Sequence, residues 1–135
     1  MREIKFRAWS ELRGMCLVKG LEFIKNLIST PTDDGNFWVD SFDDMHLMQY
    51  TGLKDKNGKE IYDGDIMRNS PARWEIVFNK GCFCHKCLGY YDERDNYTIV
   101  KSQPEIHLAL RALRGAEIIG NIYENPELIK HAKGD

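Results

Sequence analysis

The densest concentration of reactive side chains is Cys82-Phe83-Cys84-His85-Lys86-Cys87, with three thiols and an imidazole within six residues. Cys and His are the usual zinc ligands, and Cys84-His85-Lys86-Cys87 has the C-x-x-C spacing of half a zinc knuckle. A structural zinc site takes four ligands, usually as two spaced pairs from separate turns. The second pair is missing, because the remaining cysteine, Cys16, stands alone. On a strand, Cys82 and Cys84 would face one way and His85 the other. The cluster therefore reads as small apolar side chains with one or two exposed thiols. A metal held by Cys82, Cys84, His85 and Cys87 stays as the alternative.

The other reactive groups are weaker still. A cysteine nucleophile needs a base beside it in space, and Cys84 next to His85 in sequence does not supply one. Cys84 and Cys87 do not open a helix in a βαβ unit, so they are not a thioredoxin-like pair. Asp55-Lys56-Asn57-Gly58 has a partial likeness to a calcium loop, but its Gly is fourth from the Asp where the loop needs it sixth. Asp63 and Asp65 flank Gly64 and are explained by a turn whose Asp bonds local backbone. No phosphate-binding glycine loop occurs around Gly115 and Gly120. His46, His107 and His131 are isolated and read as exposed or hydrogen-bonded side chains. No residue is assigned as catalytic, cofactor-binding or metal-binding, and the expectation is a protein that is not an enzyme.

The elements that carry these residues read as strands. Asn57-Gly58 predicts a type I′ turn, since both residues tolerate positive φ, with Leu53 leading in and Ile61 leading out. A second tight turn follows at Asp63-Gly64, with Asp65 bonding local backbone and Ile66 facing inward. Upstream, Ile4, Phe6 and Ala8 alternate with Lys5, Arg7 and Trp9, a half-buried strand whose partner runs over residues 15–18. Residues 21–28 suit either a helical face or a strand, and their context favours strand. Residues 29–36 (STPTDDGN) are dense in turn formers. They mark a boundary between an N-terminal β subdomain (1–31) and the rest of the chain (32–135), or a loop within one compact unit. Phe37-Trp38-Val39 resumes a strand.

Downstream, Trp74, Ile76 and Phe78 share one strand face, which predicts that all three meet the core. Asn79-Lys80-Gly81 turns the chain into a Cys-rich strand over 83–91, and 97–100 forms another. Pro104 can open a helix with Ile106, Leu110 and Leu113 on one face, although Ile106, Leu108 and Leu110 equally suit a strand. Residues 117–123 read as the last strand. Asn125-Pro126-Glu127-Leu128 reads as the N-cap and first turn of a short C-terminal helix.

A chain of 135 residues, with six Phe, six Tyr and three Trp, fits one mainly-β domain or a barrel with an appended subdomain. No run approaches the ~18 apolar residues of a membrane span. The charged start, Met1 to Lys5, lacks a signal peptide's apolar stretch, so the expected location is the cytoplasm. Net charge is −2, which carries no global signature for nucleic acid. Locally the charge is uneven. Residues 32–65 hold nine acidic and three basic side chains, against six basic and three acidic in 1–31. Residues 66–90 hold four basic and one acidic. Solvated loops account for these blocks, and complementary patches for self-association are the sharper reading. Arg68, Arg73, Lys80 and Lys86, interleaved with Trp74, Phe78 and Phe83, are too sparse for a strong phosphate footprint, so nucleic acid is the less favoured partner.

Three strings carry a family resemblance. LMQYTGLKDKNGKEIYDGDI (47–66) resembles the signature of the YopX family, small proteins encoded by bacteriophages and prophages. IKFRAW (4–9) looks like its opening strand, and IIGNIYENPELI (118–129) like its closing motif. Together they bracket almost the whole chain. The resemblance implies a β-rich fold with an SH3-like small barrel. It also implies a phage-encoded protein in the bacterial host cytoplasm. No activity comes with it that could be transferred to a residue. The Cys82 to Cys87 cluster lies outside these strings. The expected role is protein interaction, with itself as a homo-oligomer and with a phage or host protein, without cofactor, metal or membrane. The alternative is a weak nucleic-acid-associated module.

Overall fold

The computed structural model describes residues 3–69, 72–91, 97–99, 106–107 and 115–129. Its strands are β1 (Phe6–Ser10), β2 (Gly14–Leu17), β3 (Gly20–Glu22), β4 (Leu27–Pro31), β5 (Phe37–Ser41), β6 (His46–Lys54) and β7 (Glu60–Tyr62). They continue with β8 (Asp65–Asn69), β9 (Ala72–Asn79), β10 (Cys82–Tyr91), β11 (Tyr97–Ile99), β12 (Ile106–His107) and β13 (Glu117–Asn121). Single 3-10 turns occur at Phe42–Asp44 and Pro126–Leu128, and the described residues contain no α-helix. The fold is mainly β, and its N-terminal part is β-rich in its own right.

The chain divides into two units, Met1–Tyr50 and Thr51–Asp135. The loop expected to separate 1–31 from 32–135 lies inside the first unit. β4 and β5 flank it and pair with each other from Leu27↔Ser41 to Pro31↔Phe37. Turn-forming composition marks a hairpin connection as readily as a boundary, and here it marks the hairpin.

In the first unit β1 is central, with β2 on one side and the start of β6 on the other. Ala8 faces both Cys16 and Leu47 across the ladders and is wholly buried. β3, β4 and β5 form a separate sheet in that order. Ala8, Ile28 and Met45 make the core, packed with Val18, Leu21, Phe42 and Leu47. The run 21–28 is two strands rather than one. It turns over residues 23–26, where Asn26 takes a φ of 56°. Phe23 and Ile24 sit at that turn and are exposed, which is why the apolar run fitted no single period. Ile4 precedes β1 and is also exposed, so the half-buried strand starts later than the alternation suggested.

In the second unit a sheet runs β11-β10-β9-β8-β13, with β12 also on β10. Ile61, Met67, Ile76 and Ala116 form the core, with Leu53, Trp74 and Ile118 against it. Ile66 and Met67 are adjacent and both wholly buried, so β8 is covered on both faces. Phe78 shares the face of Ile76 but lies past the edge of the core and is 55% exposed, which corrects the expectation that it is buried. Ile106–His107, expected to begin a helix or a strand, is a strand on β10. The rest of that stretch, residues 104–105 and 108–114, lies outside the described residues.

The central hairpin forms, but its turn is not type I′. Asp55 N–H donates to Lys59 O at 2.8 Å and Gly58 N–H to Asp55 O at 3.0 Å. Gly58 takes a φ of 82° and Asn57 keeps a negative one. This is a type I turn closed by a left-handed glycine, the three-residue hairpin loop with a bulge. The type I′ pattern occurs at Lys80-Gly81, with φ of 50° and 84° between the paired Asn79 and Cys82. The expected C-terminal helix is one 3-10 turn, Pro126–Leu128. Asn125 makes no side-chain cap there. Its Oδ1 instead accepts from Asn121 N–H at 3.2 Å.

Candidate functional site

The Cys-rich segment is strand throughout, so Cys84-His85-Lys86-Cys87 does not fold back into a knuckle. Cys82 and Cys84 share a face, with sulfurs 3.7 Å apart. His85 lies on the other face, buried edge-on against the Trp74 ring at 4.7 Å. Burial pushes the Cys84 thiol up, and the neighbouring Cys82 adds to the shift. A thiol held neutral in this way is a poor nucleophile. Among the described residues no group of three or more His, Cys, Asp or Glu is arranged to hold a metal ion.

The carboxylates singled out in the sequence serve the backbone. Asp55 is nearly buried. Its Oδ1 accepts from Asn57 N–H at 2.9 Å and Lys59 N–H at 2.8 Å, and its Oδ2 from Ile118 N–H at 3.0 Å. Burial works against its ionisation. The donors from Ile118, Lys59 and Asn57, together with the Lys59 charge, outweigh it and hold the carboxyl below 3.8. Asp65 is wholly buried, and its Oδ2 accepts from Tyr62 N–H at 2.8 Å across the Asp63-Gly64 turn. In the closing motif, Asn121 Oδ1 accepts from Tyr123 N–H at 3.0 Å and Glu124 N–H at 2.8 Å. A Cβ on Gly120 would lie 2.5 Å from Asn125 Oδ1, so a larger residue there would force that side chain to shift. In these strings Asp55, Asp65 and Asn121 serve turns and a sheet edge.

The basic and aromatic set is divided as well. Arg68 pairs with Glu117 at 2.5 Å, and buried Arg73 donates to Leu128 O at 3.2 Å. The Arg68 guanidinium, helped by Lys56, holds the Glu117 carboxyl below its ordinary range. Phe78 and Phe83 pack edge to face at 5.0 Å near the Lys80-Gly81 turn.

The first unit carries the apolar surface that alternation did not reveal. Phe37, Trp38 and Val39 follow one another on β5 and are 57%, 51% and 50% exposed, so both faces of the strand meet solvent. Leu12, in the same unit, is 83% exposed. An open hollow of about 680 Å³ is lined by Leu12, Arg13, Cys16, Pro31, Thr32, Asp33 and Trp38. The Arg13 guanidinium lies 4.5 Å from the Trp38 ring and is ion-paired to Asp40. Exposed consecutive aromatics are a signal of a contact surface that a burial pattern read from sequence cannot supply, because alternation assumes one covered face.

No helix among the described residues is long and apolar enough to cross a membrane. No curated protein matches the chain in sequence. The fold is similar to the crystal structure of protein EF1440 from Enterococcus faecalis, at 25% sequence identity and a TM-score of 0.51. That likeness covers 96% of this chain and 100% of the other. The family described as YopX protein matches residues 5–130, a span that takes in most of the opening string and the whole of the central and closing ones. The chain belongs to the YopX family.

Proposed function

We propose that the protein is a non-enzymatic, self-associating interaction module, encoded by a phage or prophage and working in the bacterial cytoplasm. In this reading the second unit is the SH3-like small barrel that the family resemblance implies, and the first unit presents the contact surface. The observation that carries it is the consecutive exposure of Phe37, Trp38 and Val39, beside the hollow lined by Leu12 and Trp38. Contiguous apolar surface of this kind is a cost in water unless a protein covers it. The side chains of Asp55, Asp65 and Asn121 in the central and closing strings accept backbone N–H groups in turns, which supports a structural role for them. A phage or host protein is the second partner of the same surface.

The exposed Phe78, packed on Phe83 beside Lys80, favours one other reading, a weak stacking platform for single-stranded nucleic acid. Arg68 and Arg73 argue against it, because both are already engaged. Sedimentation of the purified protein and a salt titration with single-stranded DNA and RNA separate the two. An oligomer without salt-sensitive nucleic-acid affinity is the expected result. A strict monomer whose nucleic-acid affinity falls steeply with salt would install the second reading.

A further inference from the structure

We infer that β5 is the strand through which two copies of this chain join, antiparallel and centred on Val39. This deepens the self-association reading and rests on it. β5 ends its sheet, whose order is β3-β4-β5, and pairs with β4 without a register shift. It therefore has one outer edge. The direction of its backbone groups follows from the ladder. Thr32 N–H donates to Asn36 O at 2.9 Å, and Phe42 N–H to Asn26 O at 2.9 Å, on the continuation of the β4–β5 pairing. Antiparallel ladders alternate, so Trp38 and Asp40 turn their N–H and C=O groups toward β4. Phe37 and Val39 turn theirs outward.

Edge strands are normally blunted by brevity, a bulge, proline or an unpaired charge. The opposite edge of the same sheet, β3, has only three residues. β5 has five, with no proline, lysine or bulge. Its one charge within the strand, Asp40, is neutralised by Arg13. What remains is a row of outward donors and acceptors flanked by apolar side chains on both faces.

The charges select the occupant and the register. Trp38 and Asp40 share a face, and Arg13 lies against both. Each copy thus carries one ion pair on this face, its cation lying against Trp38 and its anion at Asp40. A two-fold axis through Val39 places Trp38, with its Arg13, opposite the partner's Asp40, and the reverse. On the other face it sets Val39 against the partner's Val39 and Phe37 opposite the partner's Ser41. All of β5 is then paired, and the outward groups of Phe37 and Val39 fall at hydrogen-bonded positions. An axis through Asp40 would oppose two carboxylates, which is unfavourable. An axis through Trp38 would leave Asp40 and Ser41 facing the loop residues Asn36 and Gly35. The contact is isologous, so it closes as a dimer and does not propagate.

Sedimentation of the unmodified protein and of Val39→Lys, with amide hydrogen exchange on the unmodified protein at two concentrations, tests this. Lysine at the axis sets two like charges opposite each other, so self-affinity should fall about tenfold or more while the melting temperature holds. The amides of Phe37 and Val39 should exchange more slowly where the oligomer dominates. A monomer at every concentration defeats both this inference and the self-association reading. An oligomer that a folded Val39→Lys leaves intact, or whose Phe37 and Val39 amides exchange as fast as in the monomer, defeats this inference alone. If Val39→Lys fails to fold, the exchange measurement on the unmodified protein decides.

Discussion

β13 and β5 both end a sheet, and the two units finish them differently. In the second unit Asp55 Oδ2 takes the N–H of Ile118, and Lys56 N–H donates to Ala116 O at 3.1 Å. A bulge between Ile118 and Gly120 breaks the register as well. In the first unit β5 is regular, and nothing among the described residues pairs with its outer side. An edge that is capped by the chain's own carboxylate is spent on stability. An edge that is left regular, apolar and uncapped is available for a partner. The contrast separates the part of the molecule that holds itself together from the part that can hold something else.

The comparison breaks most sharply at Asp55. Asp55→Ala leaves three backbone N–H groups without their acceptor, and each bond to a charged group is worth on the order of 1.5–3 kcal/mol. The expected loss is about 3 kcal/mol or more, read as a lower melting temperature. The effect should also depend on pH. The folded carboxyl titrates below its ordinary 3.8, so its stabilisation is fully present above that value and is lost as pH falls through the folded pKa. The stability curves of the parent and Asp55→Ala should therefore converge in acid. A constant gap between them would mean that packing, not the charge, closes the β13 edge.

Gly120→Ala probes the same edge by crowding it. The new Cβ would meet Asn125 Oδ1 and Cγ and Leu128 Cδ1, all within 2.8 Å. Overpacking of this kind costs about 2 kcal/mol, and chemical denaturation would measure it. An alanine tolerated without loss would show that the closing turn can shift aside.

The smallest of the three effects is expected for Gly58→Val. Its φ of 82° resists a β-branched residue, but a Cβ there meets nothing within 4 Å. The cost is then backbone strain alone, about 1–2 kcal/mol. A melting temperature equal to the parent's would remove the left-handed glycine from the account of this hairpin.

Much of the strand order was legible because it rests on local rules. Trp74-Glu75-Ile76-Val77-Phe78 alternates, and it is part of β9. Asn57-Gly58 marks a hairpin, and β6 and β7 flank it. The turn type was not legible, since the carboxylate of Asp55 bonds both Asn57 and Lys59 and dictates a different loop. Lys80 in a left-handed conformation gives no compositional warning, so the true type I′ turn was hidden. The capping role of Asp55 toward β13 was invisible for another reason, because Ile118 lies 63 residues away. Asn125 looked like a helix cap because its neighbours, Pro126 and Glu127, are good first-turn residues. Its side chain was drawn instead to Asn121 N–H, and the helix shrank to one turn. The open face of β5 was hidden because Phe37-Trp38-Val39 has the composition of a buried strand.

The span from Asp55 to Ile118 also bears on the order in which the second unit assembles. The β9–β10 hairpin closes over only Lys80 and Gly81, whereas the Asp55–Ile118 bond must close a loop of 63 residues. Loop closure is entropically costlier for the longer segment, so the local meander is the earlier event and the clamp on β13 the later one. Interactions absent from the folding transition state act on the rate of unfolding. Asp55 is thus a latch on the folded state. In stopped-flow kinetics its loss should hasten unfolding through the Ile118 bond, and slow refolding only through the two local bonds to Asn57 and Lys59.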